Sequence, residues 1–143
     1  MRIFIADDSL AILDRFVKMV SQIHNAKVVG LASNGEDAIT SIQKLKPDLV
    51  ILDLRMPKGN GFDVIKNIKK NKLLTIVLVL TSFATISHKK LCKQLGVEYC
   101  FDKTTEFEQA IEVIERLTSQ TKDELLSADF IPLTELPIGG HDI

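Results

Sequence analysis

The sequence has few of the residues that mark several protein classes. Its 143 residues include two cysteines, one tyrosine, four prolines and no tryptophan. Cys92 and Cys100 form no CxxC pair, and no histidine lies at metal-ligand spacing from them. This spacing excludes a disulfide scaffold and a zinc finger, and it predicts two small hydrophobic side chains in a reducing compartment.

Long apolar runs are absent as well. No segment approaches the roughly 20 apolar residues of a membrane-spanning helix, and the chain opens directly on a short strand-like run without a signal peptide. We therefore expect a cytoplasmic protein that makes no membrane contact.

A strong excess of one charge is also missing. The net charge of −1 argues against a general attraction to nucleic acid or to membrane surfaces. The charge is nevertheless uneven, because residues 1–119 carry 17 basic and 14 acidic side chains whereas residues 120–143 carry one and five. We expect residues 1–119 to form one domain and residues 120–143, which contain two prolines and two glycines, to form an acidic tail.

Short aliphatic runs alternate five times with longer segments of helical period. Because the runs are continuously apolar, they predict a parallel sheet that helices cover on both faces. With right-handed crossovers this is a doubly wound, five-stranded α/β fold. The predicted strands are 3–6, 28–31, 49–52, 74–80 and 97–101.

Three local signals predict where helices begin and end. Ser33 with Glu36, and Thr105 with Glu108, have the spacing of a capping box, in which the first residue caps a helix. Gly96 is expected to end a helix that covers about residues 85–95.

Polar side chains follow the predicted strands at the points where the strands end. Asp7 and Asp8 follow the first strand, Asp53 the third, Thr81 the fourth and Lys103 the fifth. The carboxyl ends of parallel strands meet at one edge of the sheet, so these side chains are expected to converge. Each residue alone has an ordinary explanation as a helix cap, turn, strand end or solvated charge, and the argument depends on their joint occurrence.

Three crowded carboxylates repel one another, and a hard divalent cation relieves that repulsion. Oxygen ligands without histidine or cysteine predict Mg²⁺. A carboxylate can itself attack a phosphoryl group, and phosphoryl transfer requires mainly positioning and neutralisation of charge. The sequence offers no general base or phosphate-binding glycine-rich loop for turnover of a diffusing substrate, so we expect a phosphoryl acceptor and not an enzyme.

With these residues in place, the chain resembles the response-regulator receiver domain of two-component signalling over about residues 1–119. The resemblance implies a flavodoxin-like strand order 2-1-3-4-5 and transfer of a phosphoryl group to Asp53 from a histidine kinase or phosphotransfer protein. The matching segments are Ile5-Ala6-Asp7-Asp8-Ser9, Ser33-Asn34-Gly35-Glu36, Leu52-Asp53-Leu54-Arg55-Met56-Pro57 followed by Gly61, Thr81-Ser82, and Asp102-Lys103.

The resemblance also implies the magnesium ligands. Asp8 and Asp53 would bind Mg²⁺ directly, the backbone carbonyl of Arg55 would be a third ligand, and Asp7 would bind through water.

The resemblance further implies a switch in which Thr81 moves toward the phosphoryl group while Lys103 pairs with it. The sequence departs from the family pattern at two positions. Receivers usually have an aromatic residue three positions before the lysine, where this chain has Cys100, so that role is either missing or taken by Tyr99. Thr104 replaces the proline that usually follows the lysine, and we expect a trans peptide bond there because a cis bond before a residue other than proline costs about 2.5–4 kcal/mol.

No DNA-binding or catalytic domain follows in the sequence, so the resemblance implies a stand-alone receiver without direct nucleic-acid contact. Its output would be a protein–protein surface within residues 84–119, which is also a candidate homodimer face.

Two alternatives stay open: an interaction module that is not phosphorylated and is controlled by its tail, and an aspartyl-nucleophile phosphatase. The phosphatase is disfavoured because Arg55 stands where such enzymes commonly carry a second aspartate. The apolar tail residues that would cover the output face are Leu125, Leu126, Phe130, Ile131 and Leu133.

Overall fold

A five-stranded parallel sheet forms the centre of the molecule. The computed structural model describes residues 1–82 and 84–120. The strand order β2-β1-β3-β4-β5 confirms the predicted doubly wound α/β fold. The strands are β1 (Arg2–Ala6), β2 (Lys27–Ala32), β3 (Leu49–Leu52), β4 (Ile76–Thr81) and β5 (Tyr99–Asp102).

One helix follows each strand, and the helices divide between the two faces of the sheet. The first and fifth pack on one face, and the second, third and fourth pack on the other. The helices are α1 (Leu10–Val20), α2 (Gly35–Leu45), α3 (Gly61–Lys70), α4 (Ile86–Gln94) and α5 (Phe107–Thr118).

Alternate residues of each strand face opposite helical layers, as strand geometry requires. In β1, Ile3 and Ile5 pack against α1 and α5, whereas Phe4 and Ala6 pack against the other layer. Because both faces are covered, all four side chains are buried. This explains why the sequence shows continuous aliphatic runs and no alternation of polar and apolar residues.

Two of the predicted N-cap residues are wrong, each by one residue. The N-cap of α2 is Asn34 and not Ser33, since the Asn34 Oδ1 atom accepts a hydrogen bond from the backbone N–H of Asp37 at 2.8 Å. Thr105 does not cap α5, whose N-cap residue is Glu106 without a side-chain capping bond. The carboxylate of Glu106 instead accepts the backbone N–H of Asp102 at 2.9 Å. At both helix starts, the capping-box spacing in the sequence therefore does not identify the N-cap residue.

Strand boundaries also shift slightly from those predicted. β4 begins at Ile76, and Leu74, which the aliphatic run had placed in the strand, is 84% exposed. β5 begins at Tyr99 and ends at Asp102, two residues and one residue later than the predicted strand 97–101. Gly96 has a φ of +81°, and the following N–H of Val97 bonds the carbonyl of Cys92 at 2.9 Å, so the prediction that Gly96 ends this helix is confirmed.

Gly35 allows the start of α2 to touch the loop that follows β3. A Cβ atom added at Gly35 would lie 1.9 Å from the carbonyl oxygen of Gly59, a backbone atom that no rotamer change can move. We expect Gly35→Ala to lower the free energy of unfolding by about 1–3 kcal/mol, measured by urea denaturation. Glu36→Ala, an exposed change at the next position, is the matched control and should leave that free energy within about 0.5 kcal/mol of wild type.

Across the described residues, none of the helices is long and apolar enough to cross a membrane.

Candidate functional site

Three carboxylates meet at the carboxyl edge of the sheet. β1 and β3 are neighbours, so the residues that follow them are brought together, as the sequence predicts. Asp7, Asp8 and Asp53 each offer an oxygen atom, and these atoms lie within 4.8 Å of one another. Asp7 and Asp53 are buried, at 3% and 5% exposure, whereas Asp8 is open to solvent. The cluster therefore has two inner acids and one outer acid.

Lys103 reaches both inner acids from the end of β5. Its ammonium nitrogen lies 2.6 Å from Asp7 Oδ2 and 3.2 Å from Asp53 Oδ2. The lysine side chain is only 14% exposed, so its charge is held largely out of water between the two carboxylates. With three acids and one ammonium, the site carries two excess negative charges when all four groups are ionised.

Asp53 receives two further hydrogen bonds at its other oxygen. The buried Thr81 hydroxyl donates to Asp53 Oδ1 at 2.7 Å, and the backbone N–H of Arg55 donates to the same atom at 3.2 Å. A side chain from β4, a side chain from β5 and the loop after β3 thus converge on a single carboxylate. All four strand ends that the sequence analysis selected contribute to the site.

Asp7 and Asp8 differ in how the protein uses their oxygens. Both oxygens of Asp7 are engaged, since Oδ1 accepts the backbone N–H of Ser9 at 2.9 Å and Oδ2 binds Lys103. The bond to Ser9 also holds the start of α1, because the Ser9 side chain caps that helix. Exposed Asp8 faces a groove that Thr81 and Arg55 also line. Solvent and ligands therefore approach the cluster from the Asp8 side.

The surroundings disfavour the charged form of Asp7 and favour the charged form of Lys103. Burial has the largest effect and raises the pKa of Asp7. The bonds to Lys103 and Ser9 lower that pKa and the Asp53 charge raises it, and the net result is a raised pKa. For Lys103, burial opposes the charged form, but the bond to Asp7 and the charges of both acids outweigh that effect and raise its pKa. The ammonium is therefore fixed in its charged state, whereas the acids still repel each other.

Comparison with known families agrees with this geometry. The family model described as the response regulator receiver domain matches residues 3–115.

The chain belongs to the response regulator receiver family.

Receivers act in phosphorylation-dependent signalling, and this chain is such a receiver. Among curated relatives, it is 30% identical over 115 residues to the uncharacterized transcriptional regulatory protein YvfU of Bacillus subtilis, covering 80% of this chain and 58% of that protein. It is also 30% identical over 130 residues to a protein-glutamate methylesterase/protein-glutamine glutaminase of Clostridium acetobutylicum, covering 87% of this chain and 34% of that protein. The chain thus spans only part of the length of the curated relatives it matches.

Solved structures give the same family. The isolated receiver domain of RcsB from Salmonella enterica serovar Typhimurium, studied with phosphomimetic BeF₃⁻, superimposes with a TM-score of 0.76 at 27% identity over 85% of this chain and 90% of that one. The response regulator domain of Thermotoga maritima CheB gives 0.74 at 27% identity over 83% and 94%.

Cys100 stands at the position where receivers usually have an aromatic residue, and the structure shows its surroundings. Cys100 is half-buried on the face covered by α2, α3 and α4, where its thiol shares a hydrogen bond with the buried Cys92 of α4. That bond and burial raise the pKa of Cys100, while the pKa of Cys92 is lowered because the bond favours its thiolate. Tyr99 lies on the opposite face, 4% exposed in the core and nearly parallel to the ring of Phe101. That Tyr99 takes over the role of the switch aromatic stays a prediction.

Thr104, which replaces the proline that usually follows the lysine in receivers, has a structural consequence. The described residues contain no cis peptide bond, so the expected trans bond between Lys103 and Thr104 is confirmed. The backbone N–H of Thr104, which a proline would lack, donates to Asp102 Oδ1 at 2.8 Å. The Asp102 carboxylate also accepts the N–H of Thr105 at 3.1 Å and that of Ala84 at 3.0 Å.

Sequence reasoning gave Asp102 no role of its own. An aspartate followed two and three residues later by turn-forming threonines is the pattern of an Asx-turn, and that signal could have identified it. The bond to Ala84 had no sequence signal, because Ala84 comes from another loop.

The lowered pKa of Asp102 predicts how its carboxylate affects the stability of the fold in acid. Burial works against its charge, but the three backbone N–H donors outweigh that effect and lower its pKa below the ordinary 3.8. A lowered folded-state pKa adds stability that is present above the unfolded value and is lost as pH falls through the folded value. We expect the unfolding free energy of wild type to fall more steeply below about pH 4 than that of Asp102→Asn, measured by urea denaturation across pH. Equal slopes in the two proteins would contradict this.

Proposed function

We propose that Asp53 is the phosphoryl acceptor of this receiver and that Mg²⁺ assists the transfer. The observation that carries the proposal is the convergence of Lys103 and Thr81 on the buried Asp53 carboxylate beside two further acids. Of the three acids, Asp53 lies between the ammonium and the hydroxyl, so a phosphoryl group placed there would meet both donors. Asp7 lacks the hydroxyl, and Asp8 is exposed.

The chemistry required of the residues is simple. An oxygen of Asp53 attacks the phosphorus of a phosphohistidine or a small acyl phosphate, and the bond from phosphorus to the leaving group breaks as that group departs with its electron pair. Lys103 neutralises charge on the transferred group, and the Thr81 hydroxyl donates a hydrogen bond to it. The product is an aspartyl phosphate on the chain itself, which is why we propose no turnover of a diffusing substrate.

The acidic residues fit a hard divalent cation. Three carboxylates and one ammonium leave excess negative charge, and oxygen donors of this kind suit Mg²⁺. We propose that Asp8 and Asp53 hold the ion directly with the Arg55 carbonyl. We propose that Asp7 acts through water, as the resemblance to receivers implies for this position. The ion would supply charge neutralisation for the phosphoryl oxygens.

Magnesium should stabilise the fold. Binding only to the native state adds about 2.7 kcal/mol when the free ion is at about 100 times its Kd. We therefore expect the Tm to rise on titration with Mg²⁺, measured by calorimetry, and this rise to be lost in Asp8→Asn. Asp14→Asn, which removes an exposed carboxylate from α1, is the matched control and should retain it. An unchanged wild-type Tm at saturating Mg²⁺ would contradict the proposed metal site.

The proposed function is tested by phosphoryl uptake. Wild-type protein is incubated with acetyl phosphate and Mg²⁺, and intact mass is followed with time. We expect the mass of one phosphoryl group to be added, and to be prevented when a chelator removes Mg²⁺. A mass that stays unchanged under these conditions would refute the proposal and favour the interaction module that is not phosphorylated.

We propose that output uses the face formed by α4, β5 and α5, within residues 84–119, through a downstream protein or a second copy of the chain. Two apolar side chains of α4 support this, since Ile86 is 77% exposed and Leu91 is 38% exposed.

The phosphate source would be a histidine kinase or phosphotransfer protein in the cytoplasm. A structure of a CheX–CheY complex from Borrelia burgdorferi with BeF₃⁻ and Mg²⁺ is a structural neighbour at 21% identity, which shows the shared fold alone.

The tail hypothesis concerns residues that lie outside the described part of the chain. It therefore stays a prediction, tested by comparing the oligomeric state of the full chain with that of a chain ending at residue 119. No observation favours the phosphatase, since Arg55 occupies the position of the second aspartate that it would need.

A further inference from the structure

The carboxylate of Asp102 joins two loops at the functional edge of the sheet. Its Oδ1 atom accepts the backbone N–H groups of Thr104 and Thr105, at 2.8 and 3.1 Å, within the loop between β5 and α5. Its Oδ2 atom accepts the backbone N–H of Ala84, at 3.0 Å, from the loop between β4 and α4. One side chain thus binds both loops, with a different oxygen for each.

These loops lie next to the two residues whose side chains bind Asp53. Lys103 is the residue immediately after Asp102, and Thr81 is three residues before Ala84. The backbone N–H of Lys103 also bonds the carbonyl of Thr81 at 2.9 Å, which continues the pairing of β4 and β5. Beyond that point the strands have ended, and Asp102 supplies the next link between the loops.

Glu106 extends the same connection to α4. Its Oε1 atom accepts the backbone N–H of Asp102 at 2.9 Å and the ammonium of Lys89 at 2.6 Å. The backbone N–H of Glu106 in turn bonds the carbonyl of Asp102 at 2.8 Å. The loop from 102 to 106 is therefore closed on itself and attached to α4 by an ion pair, so a displacement of the loop is passed to that helix.

Addition of a phosphoryl group to Asp53 must disturb both loops. Thr81 and Lys103 each donate to an Asp53 oxygen, and the new group changes where the acceptor atoms lie. Thr81 is only 1% exposed and its side chain is short, so its hydroxyl follows a displaced acceptor chiefly by movement of its backbone. The two donors must therefore move in a way that keeps both bonds.

We propose that Asp102 is a positioning residue that couples these two movements. A shift at Thr81 would be transmitted through Ala84 and Asp102 to the loop between β5 and α5, and through Glu106 and Lys89 to α4. The inference rests on the proposed phosphorylation of Asp53 and adds a specific connection between the site and the output face. It also gives Thr104 a role, because a proline at that position could not donate to Asp102.

One substitution separates the two halves of this connection. In Asp102→Asn, the amide oxygen can still accept the bonds from Thr104 and Thr105, but the amide nitrogen is a donor and cannot accept the N–H of Ala84. The variant therefore keeps the turn and loses the bond between loops. Asp48→Asn is the matched control, because Asp48 Oδ2 accepts the N–H of Arg2 at 2.8 Å at the opposite edge of the sheet.

The experiment follows backbone amide resonances by NMR as beryllofluoride and Mg²⁺ are added to the full chain. In wild type and Asp48→Asn, we expect shifts at Thr81, Ala84, Thr104, Thr105 and Lys89. In Asp102→Asn, the shift at Thr81 should persist while the shifts at Thr104, Thr105 and Lys89 fall about two-fold or more. A purely structural role would lower the Tm without changing the ratio between these two sets.

The outcomes separate the two proposals. If Asp102→Asn responds as wild type does at Thr104, Thr105 and Lys89, the coupling is refuted while the phosphoryl acceptor stands. If wild type shows no response at Thr81, the proposed function fails and the coupling with it. If Asp102→Asn does not fold, Ala84→Pro removes the N–H donor from the other side of the bond and also fixes φ at residue 84, and the same ratio measured in that variant decides.

Discussion

Asp53→Ala is expected to abolish uptake of a phosphoryl group from acetyl phosphate. The buried Asp53 carboxylate is the only one of the clustered acids that binds both Lys103 and Thr81, so its removal leaves these donors without their common acceptor. Asp7 is held by the backbone of Ser9 as well as by Lys103, and Asp8 lies at the exposed edge. Neither residue is placed to receive the phosphoryl group opposite both donors.

The measurement is intact mass after incubation with acetyl phosphate and Mg²⁺, followed by peptide mapping. Asp14→Asn, which removes an exposed carboxylate, controls for nonspecific loss of charge and should be labelled at the wild-type rate. A circular dichroism spectrum like that of wild type shows that Asp53→Ala is folded. Labelling of Asp53→Ala to the wild-type extent would identify a different acceptor and end the assignment of Asp53.

Lys103→Met should slow phosphoryl uptake by about 100-fold or more, because loss of one preorganised electrostatic contact to a transferring group typically has an effect of that size. Methionine keeps an unbranched chain of similar length without the charge. The Lys103 side chain is 14% exposed and its ammonium lies between Asp7 and Asp53, so water cannot easily replace it. The two inner acids would then face each other without a cation from the protein.

The rate is measured by the time course of added mass over a range of acetyl phosphate concentrations. Lys90→Met, an exposed change in α4, is the matched control and should react at the wild-type rate. The slow rate of Lys103→Met should persist at saturating Mg²⁺, because a second cation at the acids does not restore a donor at the position of the ammonium. A rate within about two-fold of wild type would show that Lys103 has only a structural role.

The sequence is sufficient to predict which edge of the sheet carries the site, because the architecture of the fold determines that edge. In a parallel sheet every strand points its carboxyl end to the same edge, so Asp7, Asp53, Thr81 and Lys103 had to lie on one side of the molecule. The continuous aliphatic composition of the strands indicated that both faces are covered. Neither inference requires knowledge of any side-chain conformation.

The precise helix caps and the switch region could not be predicted in the same way. Asn34 and Ser33 are both good capping residues, and the structure places Asn34 at the helix start. Cys100 and Tyr99 are adjacent in sequence, but strand pleating sends them to opposite faces of the sheet. An error of one position in the predicted alternation of β5 would therefore exchange the residue that faces α4 with the residue on the opposite face.

The sequence by itself determined the fold class, the edge on which the chemistry lies and the acidic character of the site, because these depend only on residue type and on strand direction. Only the tertiary structure decided that the Lys103 ammonium contacts both inner acids, that Thr81 binds the same carboxylate, and that Asp102 joins two loops. Such contacts are made or lost when the distance between segments far apart in the chain changes by a few tenths of an ångström. Packing of the whole core sets those distances.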